Sequence, residues 1–230
     1  MFKSIRMLCV FALCLAAVLV LAACSQDSGG SKTHYIPSDA LTTEGDDGLS
    51  IFWDVSHWAS QIVYEETYLD GMPVGATIVG MRIRLGDNGL GGGSQDAFVA
   101  DTIEKFEVRL SSSENGPGTL SDIFADNRGS DEVIVIPETS WEIAADDYEN
   151  CDGICEFGPL ISFANPFVYA GGDLLMEVAQ NGGTNVRYAD AETQVDTVHV
   201  YLDLSADWDA ARSGHFSTTV LPYIAFVYTD

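Results

Sequence analysis

The chain has 230 residues, of which 35 are acidic and only 10 are basic, so its formal net charge at pH 7 is −25. Such a surface would repel the phosphates of a nucleic acid and the head groups of an anionic membrane, so neither is expected as a ligand of the folded part. The length is sufficient for one large domain with a sizeable hydrophobic core.

The first predicted element is a secretory signal over residues 1–23. Lys3 and Arg6 supply its positive charge, and an unbroken apolar run of 17 residues follows over residues 7–23. The run ends in Leu-Ala-Ala-Cys at residues 21–24, the pattern of a bacterial lipobox, in which the thiol of Cys24 accepts a diacylglycerol. We therefore predict a lipoprotein that is held to a membrane through Cys24. An ordinary signal or a retained helix is the alternative, because a spanning helix needs about 17–25 apolar residues.

A flexible tether is predicted over residues 24–46. Residues 25–31 read Ser-Gln-Asp-Ser-Gly-Gly-Ser, which are small and polar and show no periodicity. Ser25 follows the lipidated cysteine, and in a Gram-negative host a residue other than aspartate there usually allows passage to the outer membrane. The predicted location is therefore the cell envelope, at the outer membrane if the host has one.

Loss of the signal leaves eight basic residues against 35 acidic ones, a formal charge of −27 for the mature chain. This charge has two interpretations. It can keep the protein soluble in a salty environment, where ions screen self-repulsion. Alternatively, some of the carboxylates bind a cation such as calcium.

Cys151 and Cys155 are the cysteines that remain after Cys24. Export to an oxidising compartment predicts a disulfide between them. A redox pair is the alternative, but the spacing is Cys-x3-Cys and no helical pattern follows it. A zinc site would need further ligands nearby, and the sequence offers none there.

The mature chain is rich in short segments that alternate between apolar and polar residues or are wholly apolar, bounded by Gly, Asp, Asn or Pro. In two of them Met81, Ile83 and Leu85 should point one way and Arg82 and Arg84 the other, and Phe106 alternates with Glu107 in the same manner. This pattern predicts antiparallel sheets with one buried and one solvated face. The predicted strands are 51–55, 62–68, 77–85, 106–111, 132–136, 160–163, 174–178, 198–204 and 223–228.

Many strands without intervening helices predict an all-β fold, a single antiparallel β-sandwich over residues 47–230. No internal repeat and no linker interrupts this range. Short turns of helix are expected only near residues 121–125 and 207–212.

Four segments resemble a family of secreted bacterial β-sandwich proteins that often carry a C-terminal PEP-CTERM sorting signal. They are Phe-Glu-Val-Arg-Leu-Ser-Ser-Ser at 106–113, Leu-Ser-Asp-Ile-Phe-Ala-Asp-Asn-Arg-Gly-Ser-Asp at 120–131, Pro-Phe-Val-Tyr at 166–169 and Gly-Asp-Leu-Leu-Met-Glu-Val at 172–178. The resemblance implies a jelly-roll-like sandwich outside the cytoplasm, and it implies no catalytic residues. This chain differs from the family in its lipobox and in lacking a sorting helix after Asp230.

Residues 126–132 form the most suggestive loop for a metal. Asp126, Asn127 and Asp131 place oxygen side chains around a glycine-containing turn, which is a way to bind Ca²⁺. The spacing is not that of an EF-hand. The alternative is a turn whose side chains satisfy neighbouring backbone groups. A second acidic group, at residues 146–152, is expected to be a solvated loop.

Trp53, Trp58 and Tyr64 are close in sequence, with Tyr68 and His57 nearby. Such aromatic side chains can stack on sugar rings, which makes a glycan-binding platform one hypothesis. Packing in the core or on a sheet face is the alternative.

The sequence gives no reason to expect an enzyme. The histidines are scattered, the serines show no Gly-x-Ser-x-Gly pattern, and no lysine follows the glycine-rich stretch at 89–94. Glu65, Glu66 and Glu104 are weak candidates for a glycosidase pair. We predict a non-enzymatic protein with a structural, adhesive or ligand-binding role toward a glycan, calcium or an envelope protein. A carbohydrate-active or other hydrolytic enzyme is the alternative.

Overall fold

The computed structural model describes residues 30–54, 57–86, 99–148, 153–193, 200–203 and 219–230, and the compact unit they form spans Ser31–Asp230. Two short 3-10 helices occur among them, Glu66–Leu69 and Phe124–Asn127. None of the helices in the described ranges has the length and hydropathy of a membrane-spanning segment. The strands are β1 Lys32–Ile36, β2 Asp47–Trp53, β3 Trp58–Tyr64, β4 Thr77–Ile83, β5 Asp101–Ser112, β6 Val133–Ile143, β7 Ile161–Val168, β8 Leu174–Asn181, β9 Arg187–Thr193, β10 Val200–Asp203, β11 Val220–Pro222 and β12 Ile224–Thr229.

Antiparallel pairing arranges these strands in a jelly roll. A four-stranded sheet has the order β1-β12-β4-β7, and a five-stranded sheet has the order β10-β3-β8-β5-β6. If β2, β9, β10 and β11 are left out and the remaining eight strands are renumbered 1 to 8 along the chain, the two large sheets have the strand orders 1-8-3-6 and 2-7-4-5. This is the strand order of a jelly roll, so the predicted fold class is confirmed. A third sheet, β11-β9-β2, is an addition to that plan.

The main hydrophobic core lies between the two large sheets. Tyr64 of β3 and Phe226 of β12 meet across it with their ring centroids 6.0 Å apart. Met81, Ile83 and Phe106 also point into this core, as the alternation predicts. Burial of this apolar surface is the principal driving force for joining the sheets.

The edge strands β6 and β7 carry features that block further pairing. Pro137 lies in β6 and Pro166 lies in β7, and proline cannot donate a ladder hydrogen bond. The pairing of β6 with β5 is also broken by register shifts. Asn165 of β7 donates from Nδ2 to the carbonyl of Ile134 in β6, which links the two sheets along this side.

The ordered domain begins earlier than the sequence predicted. β1 lies inside the predicted tether, yet it pairs with β12 along its whole length, from Lys32 opposite Tyr228 to Ile36 opposite Ile224. Ile36 is fully buried. The compact unit of the structure therefore starts at Ser31, inside the segment predicted as a tether. A five-residue strand with one strongly apolar residue gives too short a pattern to recognise.

The outer face of the five-stranded sheet is covered by the connection between β5 and β6, residues 113–132, which we call the strap. Phe124 is fully buried against Ala59 and Ala179, and Leu120 packs on the same sheet face. Glu107 points to this face as predicted, but it is buried beneath the strap rather than solvated. The alternation therefore predicted the face of Glu107 correctly but could not predict that the strap packs over that face.

The strand registers define two ends of the sandwich. At the tether end Lys32 pairs with Tyr228, Thr77 pairs with Thr229, and residues 169–173 connect β7 to β8. Strands β1, β4, β6 and β8 end at the distal end, and β5, β7 and β12 begin there. The chain that follows the predicted lipid anchor therefore enters the domain opposite the distal end.

Candidate functional site

An open pocket of about 550 Å³ lies at the distal end, where β5 begins and β6 ends. Its lining combines three carboxylates, two threonine hydroxyls and small or aliphatic side chains. Among the described residues that line it there is no lysine, arginine or histidine. The lining residues are Ala100, Asp101, Thr102, Glu142, Ile143, Ala144, Asp147 and Thr184.

Asp101 is the most constrained of these carboxylates. Thr184 donates to it from Oγ1 at 2.7 Å and from its backbone N–H, and the N–H groups of Thr102 and Asn185 add further hydrogen bonds at 2.8 and 3.0 Å. Burial alone raises the pKa of this carboxyl, but the hydrogen bonds outweigh burial and lower it. Asp101 therefore fastens the turn after β8 to the start of β5 while remaining ionised.

We expect Asp101→Asn to destabilise the protein at pH 7, because an amide cannot accept all of these hydrogen bonds. The folded carboxyl has a pKa below its unfolded value of about 3.9, so its contribution is present above that pH and is lost as the pH falls through the folded pKa. The difference in unfolding free energy between wild type and variant should therefore shrink in urea titrations below pH 4. The exposed Asp146→Asn serves as control, and a difference that is independent of pH would contradict this role.

Arg84 organises the neighbouring part of the distal end. Its side chain is fully buried and pairs with the carboxylate of Asp190 at 2.5 Å. It also donates to the carbonyls of Ala40 and Thr43, and the ring of Tyr223 lies 4.2 Å from the guanidinium carbon. Arg84 was predicted to lie on the solvated face of its strand. It is instead buried directly after β4, beside Asp190 of β9 and the chain before β2.

Glu192 lies beside this group. Burial raises the pKa of its carboxyl, the nearby Asp39 and Asp46 raise it further, and the hydroxyl of Tyr223, which donates at 3.1 Å, acts in the opposite direction. A carboxyl with a raised pKa is what a general acid needs. Burial also raises the pKa of Glu65 and of Asp190, so a raised pKa does not single out Glu192 for the hydrolytic alternative.

The predicted aromatic platform is wrong for two of its three residues. Trp53 and Tyr64 are fully buried, so neither can stack on a sugar. Trp53 stacks on Trp141 with their ring centroids 5.1 Å apart, and Tyr64 packs against Phe226. Trp58 is half-buried at the distal start of β3, and Tyr68 is half-buried against the core. Trp53 and Tyr64 therefore belong to the core, the alternative that the sequence left open, and a role for Trp58 in glycan binding stays a prediction.

The predicted calcium loop is part of the strap, and its side chains have protein partners. Asn127 is fully buried, where its Nδ2 donates to Gln61 Oε1 at 2.8 Å and its Oδ1 accepts from the N–H of Ser121 at 2.7 Å. The carboxylate of Asp131 accepts from both the N–H and the hydroxyl of Ser112. Asp126 is exposed and accepts a 3.2 Å hydrogen bond from Ser121 Oγ.

These contacts explain Asn127 and Asp131 as residues that close the strap on the sheet. In the described ranges no three His, Cys, Asp or Glu side chains are grouped so that they could hold a metal ion. Calcium binding stays a prediction that titration can test.

A partly buried ion pair reinforces the strap. Arg128 donates from Nε and from its second terminal nitrogen to the two carboxylate oxygens of Glu177, each at 2.8 Å. Gln61 Nε2 also donates to Glu177, at 2.8 Å, and Arg109 links Glu107 to Glu132. The sequence offered no signal for this network, because its members come from β3, β5, β8 and the strap.

The remaining predicted sites are placed as follows. Cys155 is disulfide-bonded, while Cys151, its expected partner, and Cys24 lie outside the described residues. Glu65 and Glu66 are at the tether end, where the N–H of Glu66 donates to Asp173. Glu104 is exposed on β5 toward the distal end, so it does not form a pair with them.

The fold defines the class of this protein as a jelly-roll β-sandwich with an added three-stranded sheet. No family model, no curated protein and no solved structure matches the chain.

Proposed function

We propose that this protein is a lipid-anchored jelly roll of the cell envelope that acts without catalysis and presents its distal end to a ligand or partner. The observation that carries this proposal is the register of β1 with β12, in which Lys32 lies opposite Tyr228. The chain that leads back to Cys24 therefore enters at one end, and the pocket and most strand connections are at the other.

The charge of the mature chain supports the same arrangement. A domain with a formal charge of −27 is repelled by anionic lipid, so electrostatics does not hold its acidic distal end against such a membrane. Two or three acyl chains on Cys24 would hold the protein firmly, whereas one chain gives only marginal binding.

The chemistry of the distal pocket suggests the kind of ligand. Carboxylates accept hydrogen bonds from sugar hydroxyls, and threonine hydroxyls can accept or donate them. The described lining carries carboxylates and no basic side chain, which disfavours an anionic ligand. An extracellular glycan or a surface of another envelope protein fits this lining. The resemblance to secreted sandwich proteins supports an extracytoplasmic role, with an anchor different from theirs.

The anchor is tested by expressing the full chain in a bacterium fed with an alkyne analogue of palmitate. We expect the wild-type protein to incorporate the analogue and to sediment with membranes. Cys24→Ala should lose the incorporation, because it removes the thiol that accepts the diacylglycerol. Cys14→Ala, in the apolar run of the signal, is the matched control and should retain it. Incorporation that persists in Cys24→Ala would refute the proposed anchor.

A further inference from the structure

We propose that an uncharged surface at the tether end rests on the membrane that holds the lipid. This contact rests on the lipid anchor proposed above and adds an interaction between the folded domain and the bilayer. The surface, which we call the tip, consists of residues 71–76 before β4 and residues 168–172 after the main part of β7.

The two segments of the tip form one continuous layer. The N–H of Gly75 donates to the carbonyl of Tyr169 at 2.8 Å, and the N–H of Tyr169 donates to the carbonyl of Ala76 at 2.9 Å. Val74 lies over Gly171, since a β-carbon on that glycine would be 3.0 Å from Val74 Cγ2. Backbone hydrogen bonds therefore hold both segments in fixed positions.

The tip is apolar, exposed and free of charge. Val74 is 70% exposed and Val168 is 57% exposed, and Val74 is the most exposed large hydrophobic residue in the described ranges. Residues 71–81 and 157–172 contain no charged side chain, in a chain of which 20% is charged. Isolated exposed valines need no explanation, but two exposed valines on adjacent, hydrogen-bonded and uncharged segments of so acidic a protein indicate a contact surface.

The length of the tether indicates what covers the tip. Seven residues, 25–31, separate Cys24 from the first residue of β1, and they can span at most about 25 Å. Lys32 pairs with Tyr228, whose hydroxyl contacts the carbonyl of Gly71 at 3.5 Å, so the chain enters beside the tip. Because the lipid keeps this end close to the bilayer, even a weak contact is populated. A second copy is a poorer occupant, because both copies carry the same large negative charge.

The charges around the tip indicate the type of lipid. Glu66, Asp70 and Asp173 are close enough to Tyr169 to act electrostatically on its hydroxyl, and they reinforce the rise that burial causes in its pKa. These carboxylates would be repelled by anionic head groups but not by zwitterionic ones. The tip therefore suits a neutral phospholipid surface such as phosphatidylcholine.

The contact is tested with the full-length lipidated protein in phosphatidylcholine vesicles. Val74→Cys and Val168→Cys are each labelled with the environment-sensitive dye NBD. Leu41→Cys is the matched control, because Leu41 is 58% exposed but follows the distal end of β1. At both tip positions we expect emission at least about twofold higher than at position 41, because the dye leaves water. Lipids carrying a doxyl group should quench the tip dyes but not the dye at position 41.

Equal responses from Val74→Cys and Leu41→Cys would overturn the contact, and Val168→Cys gives an independent reading. Vesicle flotation of the same samples separates the two proposals. Protein that floats without a tip response contradicts the contact alone, whereas Cys24→Ala protein that still incorporates the palmitate analogue contradicts the anchor. Replacing half of the lipid by phosphatidylglycerol should weaken the tip response, and an increase would contradict the proposed neutral surface.

Discussion

Arg84→Met is expected to lower the free energy of unfolding by about 3–5 kcal/mol at pH 7, because it leaves a buried carboxylate without its partner. Arg84 is fully buried and Asp190 is nearly so, and the same guanidinium donates to the carbonyls of Ala40 and Thr43. The methionine side chain has similar length but can satisfy none of these acceptors. Urea unfolding monitored by far-UV circular dichroism measures the loss.

A second substitution separates the ion pair from the rest of the effect. Asp190→Leu in the Arg84→Met background should recover part of the lost stability, since replacing both members of a buried pair is often close to neutral. Recovery should be incomplete because the carbonyls of Ala40 and Thr43 stay without the guanidinium. Lys105→Met is the surface control: its partner Glu138 is 3.4 Å away and both are 41% exposed, so we expect a cost below about 1 kcal/mol.

The effect of Arg84→Met should depend on pH. Burial raises the pKa of Asp190, and Arg84 acts in the opposite direction. Without Arg84 the folded pKa rises further above the unfolded value, so the variant gains stability as the pH falls through that raised pKa. The difference in unfolding free energy between Arg84→Met and wild type should therefore become smaller from pH 7 toward pH 4. A loss below 1 kcal/mol at pH 7, or one that grows on acidification, would contradict the burial of this pair.

The strands were predictable because their apolar residues repeat with the period of a sheet. Each of the nine predicted segments contains or overlaps a strand, from β2 to β12. β1, β9 and β11 were missed. β9 reads Arg-Tyr-Ala-Asp-Ala-Glu-Thr, in which alanines alternate with charged residues but almost no β-branched or aromatic side chain marks a strand. It is recruited into a sheet by β2 and β11, which are distant in sequence.

The local sequence pattern could not predict which segment of the chain packs over each sheet face. Residues 82 and 84 occupy the polar positions of one alternating strand, yet Arg82 is half-buried and Arg84 is fully buried. Glu107 likewise alternates correctly but lies beneath the strap. An apolar–polar alternation with a period of two residues shows which side chains share a face of the sheet. Whether a connection folds over that face depends on contacts such as Phe124 with Ala59, which are separated by more than 60 residues.

The candidate site was less predictable than the fold. Asp126, Asn127 and Asp131 were grouped because oxygen side chains near a glycine suit both a metal and a turn. The structure gives Asn127 and Asp131 partners in β3, β5 and the strap. The distal pocket draws on the starts and ends of different strands. Asp101 had no local signal, because its partners Thr184 and Asn185 are more than 80 residues away.

Trp53→Ala is expected to lower the free energy of unfolding by about 3–5 kcal/mol, the usual cost of removing a fully buried large aromatic side chain. The indole of Trp53 stacks on Trp141, and Tyr148 meets it edge-on with a centroid distance of 5.3 Å. The substitution leaves a cavity between β2 and β6 that these rings cannot fill. Trp53→Phe should cost less, because it keeps part of the ring surface. Leu41→Ala, at an exposed position, should change stability by less than about 0.5 kcal/mol.

The same variant decides between the two interpretations of the early aromatic residues. If Trp53 served as a glycan platform, Trp53→Ala would retain wild-type stability and lose retention on a polysaccharide column. If Trp53 is instead a core residue, Trp53→Ala loses stability, and any loss of retention on the column follows from unfolding. Trp141 lies next to Glu142 and Ile143 of the pocket lining, and it also packs on Phe106 with centroids 4.6 Å apart. The Trp53 cavity should therefore loosen the pocket, and the pH-dependent contribution of Asp101 should fall in Trp53→Phe even while the domain stays folded.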